Sequence, residues 1–307
     1  MDSPAHSTPR APSATEPERG RLGAGVRIVA SVVGYRLRKL EMANLAAAVS
    51  IALSLRLPWG ELVYRTLFAF VLNVLVYLNN DYCDVALDLK AGDKDADKSH
   101  FLAAHLPAAR GAQWALFALL ALSASLHDHG LFVPLLLGGG ACVWYSARLK
   151  HRPFTDVLAM MVWGATMPLC GSPADSALGL SLALQLGLFS GVFETVQVLR
   201  DREQDGKHGL RTTSVVLGAQ RTLLLSRGLM LAVSLYALAA MHPLAALISA
   251  GALALPFRAH AVERYWTQIK LVYGVAWLFI CAFAYLTGHS GGLLLQVGRE
   301  AVLFTST

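Results

Sequence analysis

The chain has 307 residues, of which 55% are apolar and 15% charged, with a formal net charge of +6 and a mean hydropathy of +0.49. A soluble domain carries roughly a quarter charged residues, so this balance excludes an ordinary soluble fold and predicts a membrane protein. The basic residues fall between apolar runs and form no single patch, which argues against a nucleic-acid partner.

Residues 1–25 are rich in Pro, Ser, Thr, Arg and Glu without an apolar core, and read as a disordered tail, not a secretory signal. Beyond them, about nine segments are long enough to cross roughly 30 Å of hydrocarbon. They lie near 40–58, 61–79, 111–127, 131–147, 154–171, 177–198, 222–241, 243–257 and 268–287. This pattern predicts an all-α, polytopic membrane protein with one transmembrane domain over 26–290 and a short C-terminal tail over 291–307. The apolar stretch 291–302 is too short to span. Cys83, Cys142, Cys170 and Cys281 are scattered, with no disulfide or zinc spacing.

Of the 26 Lys and Arg residues, all but Arg56, Arg65 and Arg299 fall in the N-terminal segment or in the loops after the even-numbered helices. By the positive-inside rule, the N-terminus and those loops face the cytoplasm.

Two acid-rich stretches then fall on that same side. The first, Asn80-Asp81-Tyr82-Cys83-Asp84 through Asp88, ends the second helix, and the second, Asp201 through Asp205, ends the sixth. Asn80, Asp84 and Asp88 are four residues apart and share a helical stripe that runs back to Tyr77 and Asn73, whereas Asp81 points elsewhere. Asp201 and Asp205 share a stripe with Gln197 and Glu194. Carboxylates near hydrocarbon require a cation, and Mg²⁺ takes one or two of them together with water and substrate phosphate. The two stripes read as two halves of one Mg²⁺ site for a diphosphate, with Lys94, Lys98, Lys150, Arg152, Arg202 and Lys207 as candidate phosphate partners. Asp93, Asp95 and Asp97 read as solvated loop charges, and His127-Asp128-His129 as a polar loop on the opposite side.

The pattern resembles the UbiA superfamily of intramembrane prenyltransferases, which carries an N-D-x-x-D-x-x-x-D motif after helix two and D-x-x-x-D after helix six. Tyr145-Ser146-Ala147-Arg148-Leu149-Lys150 is similar to a further family signature, and 205–213 to the segment trailing the second motif. One departure stands out. Where family members often carry an Arg-Pro pair, this chain reads Asp97-Lys98-Ser99, keeping a charge but not its forked geometry.

The resemblance implies nine helices around a central cavity open to the lipid bilayer. It implies that Asn80, Asp84, Asp88, Asp201 and Asp205 hold Mg²⁺ and an isoprenoid diphosphate, and that Lys98, Lys150 and Lys207 contact phosphate. Tyr77, Tyr145 and Gln197 are candidate substrate-binding residues, and Asp84, Asp201 and Glu194 candidate catalytic ones. Tyr77, Tyr145, Trp163, Phe193 and Tyr273 are candidate aromatic walls for a carbocation. The expected reaction is prenyl transfer to a small aromatic acceptor, with acceptor-free terpene cyclisation as the alternative. A cation or solute transporter is disfavoured, because the acids gather at one face rather than at a midplane between broken helices.

Overall fold

Hydrocarbon offers a backbone no partner but itself, so long apolar runs fold as helices. The computed structural model describes residues 18–39, 41–91, 96–207 and 209–293, and among these no strand occurs. The helices are α1 (Glu18–Arg38), α2 (Ala43–Ser54), α3 (Trp59–Ala91), α4 (Ala96–Ala104), α5 (Leu106–Leu126) and α6 (Gly140–Ala147). They continue with α7 (Thr155–Thr166), α8 (Ala177–Lys207), α9 (Thr213–Tyr236), α10 (Pro243–Ala250) and α11 (Val262–Thr287).

Among the described residues, six stretches are long and apolar enough to cross a membrane: 59–86, 106–126, 129–147, 177–207, 213–241 and 259–287. The protein is a multi-pass membrane protein. Helix α2 and the segment 243–254 are apolar but shorter, so length and hydropathy of the described residues yield fewer full spans than the expected nine. Helix α1 begins at Glu18, inside the stretch read as a tail, and residues 1–17 and 294–307 lie outside the described residues.

Helix α2 packs on α3 and α11, and α8 packs on α7, α9 and α11. Lipid tails are as apolar as leucine, so close packing must replace hydrophobic burial as the glue between helices. Glycine permits it here. A Cβ at Gly164 would stand 1.9 Å from Ser190 Oγ, and one at Gly171 1.9 Å from the Ala48 carbonyl oxygen. Outward-facing leucines such as Leu122, Leu224, Leu247 and Leu278 are exposed, as a lipid-facing surface requires.

At the end of the bundle formed by the α3 N-terminus, buried Arg65 pairs with Glu61 at 2.9 Å and with Asp128, and donates to the Ser172 carbonyl at 2.9 Å. His127 reaches Glu61 at 2.8 Å. The 127–129 loop is thus part of a structural ion-pair network, and Asp128 supplies its carboxylate. Burial acts against ionisation of Asp128, but the Arg65 hydrogen bond and the Gly130 N–H outweigh it and hold the carboxyl below its usual range.

Candidate active site

Helices α3 and α8, 33 and 31 residues long, run to roughly 45–50 Å at 1.5 Å per residue, well past a hydrocarbon core of about 30 Å. Their surplus length carries the acidic ends out of the hydrocarbon on one side of the bundle. There Asp84 and Asp88 of α3 line one open cavity of about 240 Å³ together with Asp201 and Asp205 of α8. Tyr145 of α6, Lys150 of the following turn, Glu194, Gln197 and Thr212 complete its polar wall.

Asp84, Asp201 and Asp205 each have a local partner. Lys150 Nζ forms an ion pair with Asp84, and Arg200 grips its neighbour Asp201 through Nε at 2.7 Å and Nη2 at 3.0 Å. Thr212 Oγ1 donates to Asp205 Oδ2 at 3.2 Å, and Ser146 Oγ donates to Asn80 Oδ1 at 3.2 Å. Partial desolvation by the helix ends, together with the charges of Asp84 and Asp81, pushes the Asp88 carboxyl above its usual value. Deeper in the bundle, buried Glu194 accepts a 3.1 Å hydrogen bond from the Tyr145 hydroxyl.

Among the described residues no three acidic, His or Cys side chains converge into a ready-made metal shell. The donor set nevertheless fits Mg²⁺, a hard ion that prefers oxygen and usually draws part of its shell from water and substrate phosphate. The carboxylates of α3 and α8 would each supply ligands across the cavity they share.

The sequence matches the UbiA prenyltransferase family over residues 42–272. The chain belongs to this family.

Its fold is that of solved UbiA-type structures. A structure of digeranylgeranylglyceryl phosphate synthase aligns with a TM-score of 0.63 at 13% identity, covering 87% of this chain and 99% of that one. A UbiA homologue from Archaeoglobus fulgidus bound to DMAPP and Mg²⁺ aligns at 0.56 and 17% identity, covering 92% and 96%. The same organism's UbiA homologue bound to GPP and Mg²⁺ aligns at 0.57 and 16%, covering 86% and 98%. A search of curated protein sequences finds no significant match.

Four expected contact residues of this UbiA-family chain, Asn80, Tyr77, Lys98 and Lys207, are not among those lining the cavity. The sequence spacing places Tyr77 on the stripe of Asn80 and Asp84. It sits instead beside Arg36 of α1, whose guanidinium lies 4.4 Å from its ring, and its hydroxyl donates to the Glu41 carbonyl. Lys98 binds Asp81 at 2.6 Å, which Arg36 holds at 2.7 Å from the other side. Lys207 is exposed at the last turn of α8. Lys94 lies outside the described residues, and Arg152 and Arg202 are exposed.

Of the candidate aromatic walls, Trp163 is buried in the packing of α3 with α5 and α7, and Tyr273 stacks on Phe189 at 4.6 Å, with Phe193 5.9 Å away. These rings belong to helix-packing clusters.

Five residues join the site: Ser146, Thr212, Arg200 and the locked pair Asp156 and Thr213. Buried Asp156 accepts from the Thr213 N–H at 2.7 Å and from its hydroxyl, while the Phe154 N–H donates to Thr213 Oγ1 at 2.7 Å. The adjacent threonines that trail the second acidic motif were the only sequence signal for this lock.

Proposed function

We propose that this protein is a Mg²⁺-dependent intramembrane prenyltransferase that ionises an isoprenoid diphosphate and transfers the prenyl group to a small aromatic acceptor. The observation that carries the reading is the shared cavity. Asp84 and Asp88 from one helix line it with Asp201 and Asp205 from another, more than a hundred residues away. The Archaeoglobus fulgidus homologues with Mg²⁺ and a prenyl diphosphate lend support through their common fold.

In this reading Asn80, Asp84, Asp88, Asp201 and Asp205 hold the metal and, through it, the diphosphate. Bound Mg²⁺ supplies charge stabilisation to the leaving diphosphate. Lys150 turns from Asp84 toward phosphate oxygens, and Gln197 and Tyr145 flank the substrate head. Lys207 reaches phosphate from the surface, whereas Lys98 acts by fixing Asp81. The allylic C–O bond breaks, diphosphate leaves with the electron pair, and an acceptor carbon takes up the cation. Glu194, buried in the cavity wall beside the Tyr145 hydroxyl, receives the proton the acceptor must lose. We place this end of the bundle, with the N-terminus, at the cytoplasm, because the basic loops gather there.

Purified protein with Mg²⁺ and prenyl diphosphates of two to four isoprene units, with and without aromatic acceptors, tests the proposal. Diphosphate release that depends on acceptor and yields a prenylated aromatic supports it. Acceptor-free release of a cyclic terpene replaces it with cyclisation, and no release from any diphosphate overturns it.

A further inference from the structure

Helix α1 precedes the family match, which begins at residue 42, and its construction differs from every spanning helix. From Arg19 to Arg38 it carries five arginines and no acidic residue. Its 21 residues reach roughly 31 Å at 1.5 Å each, enough to span, yet it does not cross the bundle. Near one end Gly25 lies against Ala108 and Ala112 in the first turns of α5, and near the other Arg36 binds Asp81 near the end of α3. Both contacts belong to the same end of the bundle as the acidic cavity, so α1 lies across that end.

The helix shows three stripes. Ile28 and Val32 face inward and pack with Leu78, Val85, Leu102 and Ala109. Leu22, Val26 and Leu37, spaced at helical repeats, form a second stripe and are 72%, 71% and 53% exposed. Arg27, Ser31, Gly34 and Arg38 form the third, at intervals of four, three and four residues. An apolar stripe beside an arginine-rich one is the pattern of a helix lying in the membrane interface.

The third stripe also forms a wall of a cavity. Between α1 and α4 lies an open space of about 380 Å³, lined by Ser31, Gly34, Tyr35, Arg38, Asp97 and Lys98. Its charged groups are distinct in kind. Lys98 is shared with Asp81 and lies 4.4 Å from the Tyr35 ring, and Asp97 is an exposed rim carboxylate. Exposed Arg38 engages the protein through Nε, which donates to the Gly34 carbonyl at 3.2 Å, aligning the guanidinium along the helix. The Ser31 hydroxyl donates to the Ile28 carbonyl at 2.8 Å, so the forked guanidinium beside an ammonium is what suits a phosphate monoanion or diester. The neighbouring exposed stripe of Leu22, Val26 and Leu37 suits the acyl region just below, which leaves that phosphate at headgroup depth.

We propose that α1 is an interfacial helix and that its cavity with α4 binds the headgroup phosphate of an anionic bilayer phospholipid. None of its wall residues lines the acidic cavity, and the two sites touch only through Lys98, which also holds Asp81. Because Arg36 follows the stripe and holds Asp81, three residues from Asp84, lipid docking also steadies the α3 end of that cavity.

Gly34 offers a test that leaves packing alone. A Cβ there meets nothing within 4 Å, so Gly34→Asp and Gly34→Asn should both fold, equal in size and different only in charge. The full chain is reconstituted in phosphatidylcholine nanodiscs with and without phosphatidylglycerol, and lipid retention is read by native mass spectrometry. Retention of phosphatidylglycerol should be about fivefold weaker in Gly34→Asp than in Gly34→Asn, the factor roughly one basic charge near an anionic leaflet commands. Arg38→Gln should weaken it comparably, while Arg258→Gln, exposed elsewhere, should not. Equal retention in the two Gly34 variants, or displacement of the lipid by millimolar inorganic phosphate with no role for the acyl chains, would overturn the proposal.

Discussion

Asp156, fully buried at the start of α7, takes hydrogen bonds from both the N–H and the hydroxyl of Thr213 at the start of α9. The contact joins the two walls of the acidic cavity. On one side the same Thr213 hydroxyl accepts from Phe154, whose φ of 68° is a left-handed conformation that a bulky residue adopts only under constraint. Phe154 closes the turn that carries Lys150. On the other side Thr212, next in chain, donates to Asp205.

Asp156→Asn should therefore loosen both walls at once. An amide nitrogen facing the Thr213 N–H puts donor against donor and leaves a buried group unsatisfied, at a cost of about 1–3 kcal/mol. A lower Tm in detergent, with weakened turnover, is expected; Thr213→Ser keeps both bonds and should stay near wild type. An unchanged Tm in Asp156→Asn would remove the lock from the account.

Glu194 and Tyr145 make a separable pair. Glu194→Gln preserves an acceptor for the Tyr145 hydroxyl but cannot take up a proton. If Glu194 is the base, prenyl transfer should fall by about 10²–10⁴-fold, while acceptor-independent diphosphate release falls far less. Tyr145→Phe should cost less, because the carboxylate remains. Equal losses in transfer and release for Glu194→Gln would recast the residue as structural.

How much of this was legible in the sequence follows from what periodicity encodes. The i, i+4 spacing of Asp84 with Asp88 and of Asp201 with Asp205 gave one face each, and the count of helices between them gave the same end of the bundle. Tyr77 shows the limit. It stands three residues before Asn80 and four before Asp81, so either stripe could claim it, and the choice depends on which helix covers that face. Helix α1 covers it, bringing Arg36 to both Tyr77 and Asp81. That helix was hidden because its five arginines depress its hydropathy and its first turns read as tail. Lys98 was misplaced for the same reason, since its partner Asp81 is shared with α1.

Asp128 predicts an acid response at the opposite end of the bundle. Its carboxyl lies below the usual range in the folded protein. A depressed carboxylate contributes stability that is complete above the unfolded value and fades as pH falls through the folded one. The Tm difference between wild type and Asp128→Asn should thus be widest at neutral pH and shrink as the pH drops below the ordinary carboxylate range. A difference constant with pH would mean that Arg65 gains nothing from the charge of Asp128.

Lys150 on Asp84 makes the sharpest prediction about metal. In the structure the ammonium occupies a carboxylate that the proposed metal needs, so the lysine and the ion compete until a diphosphate draws the lysine away. Lys150→Met should bind Mg²⁺ more tightly in the absence of substrate and yet turn over more slowly. Both partners are partly exposed, so the gain is modest, at most about fivefold, as such ion pairs are worth about 0.2–1 kcal/mol. Asp84→Ala and Asp201→Ala should instead lose metal and turnover together while still inserting into the membrane. Calorimetric titration with Mg²⁺ and a diphosphate-release assay on the same preparations separate these outcomes. If Lys150→Met bound the ion no better than wild type, the lysine would not be competing for Asp84, and its role in phosphate capture would need a different starting position.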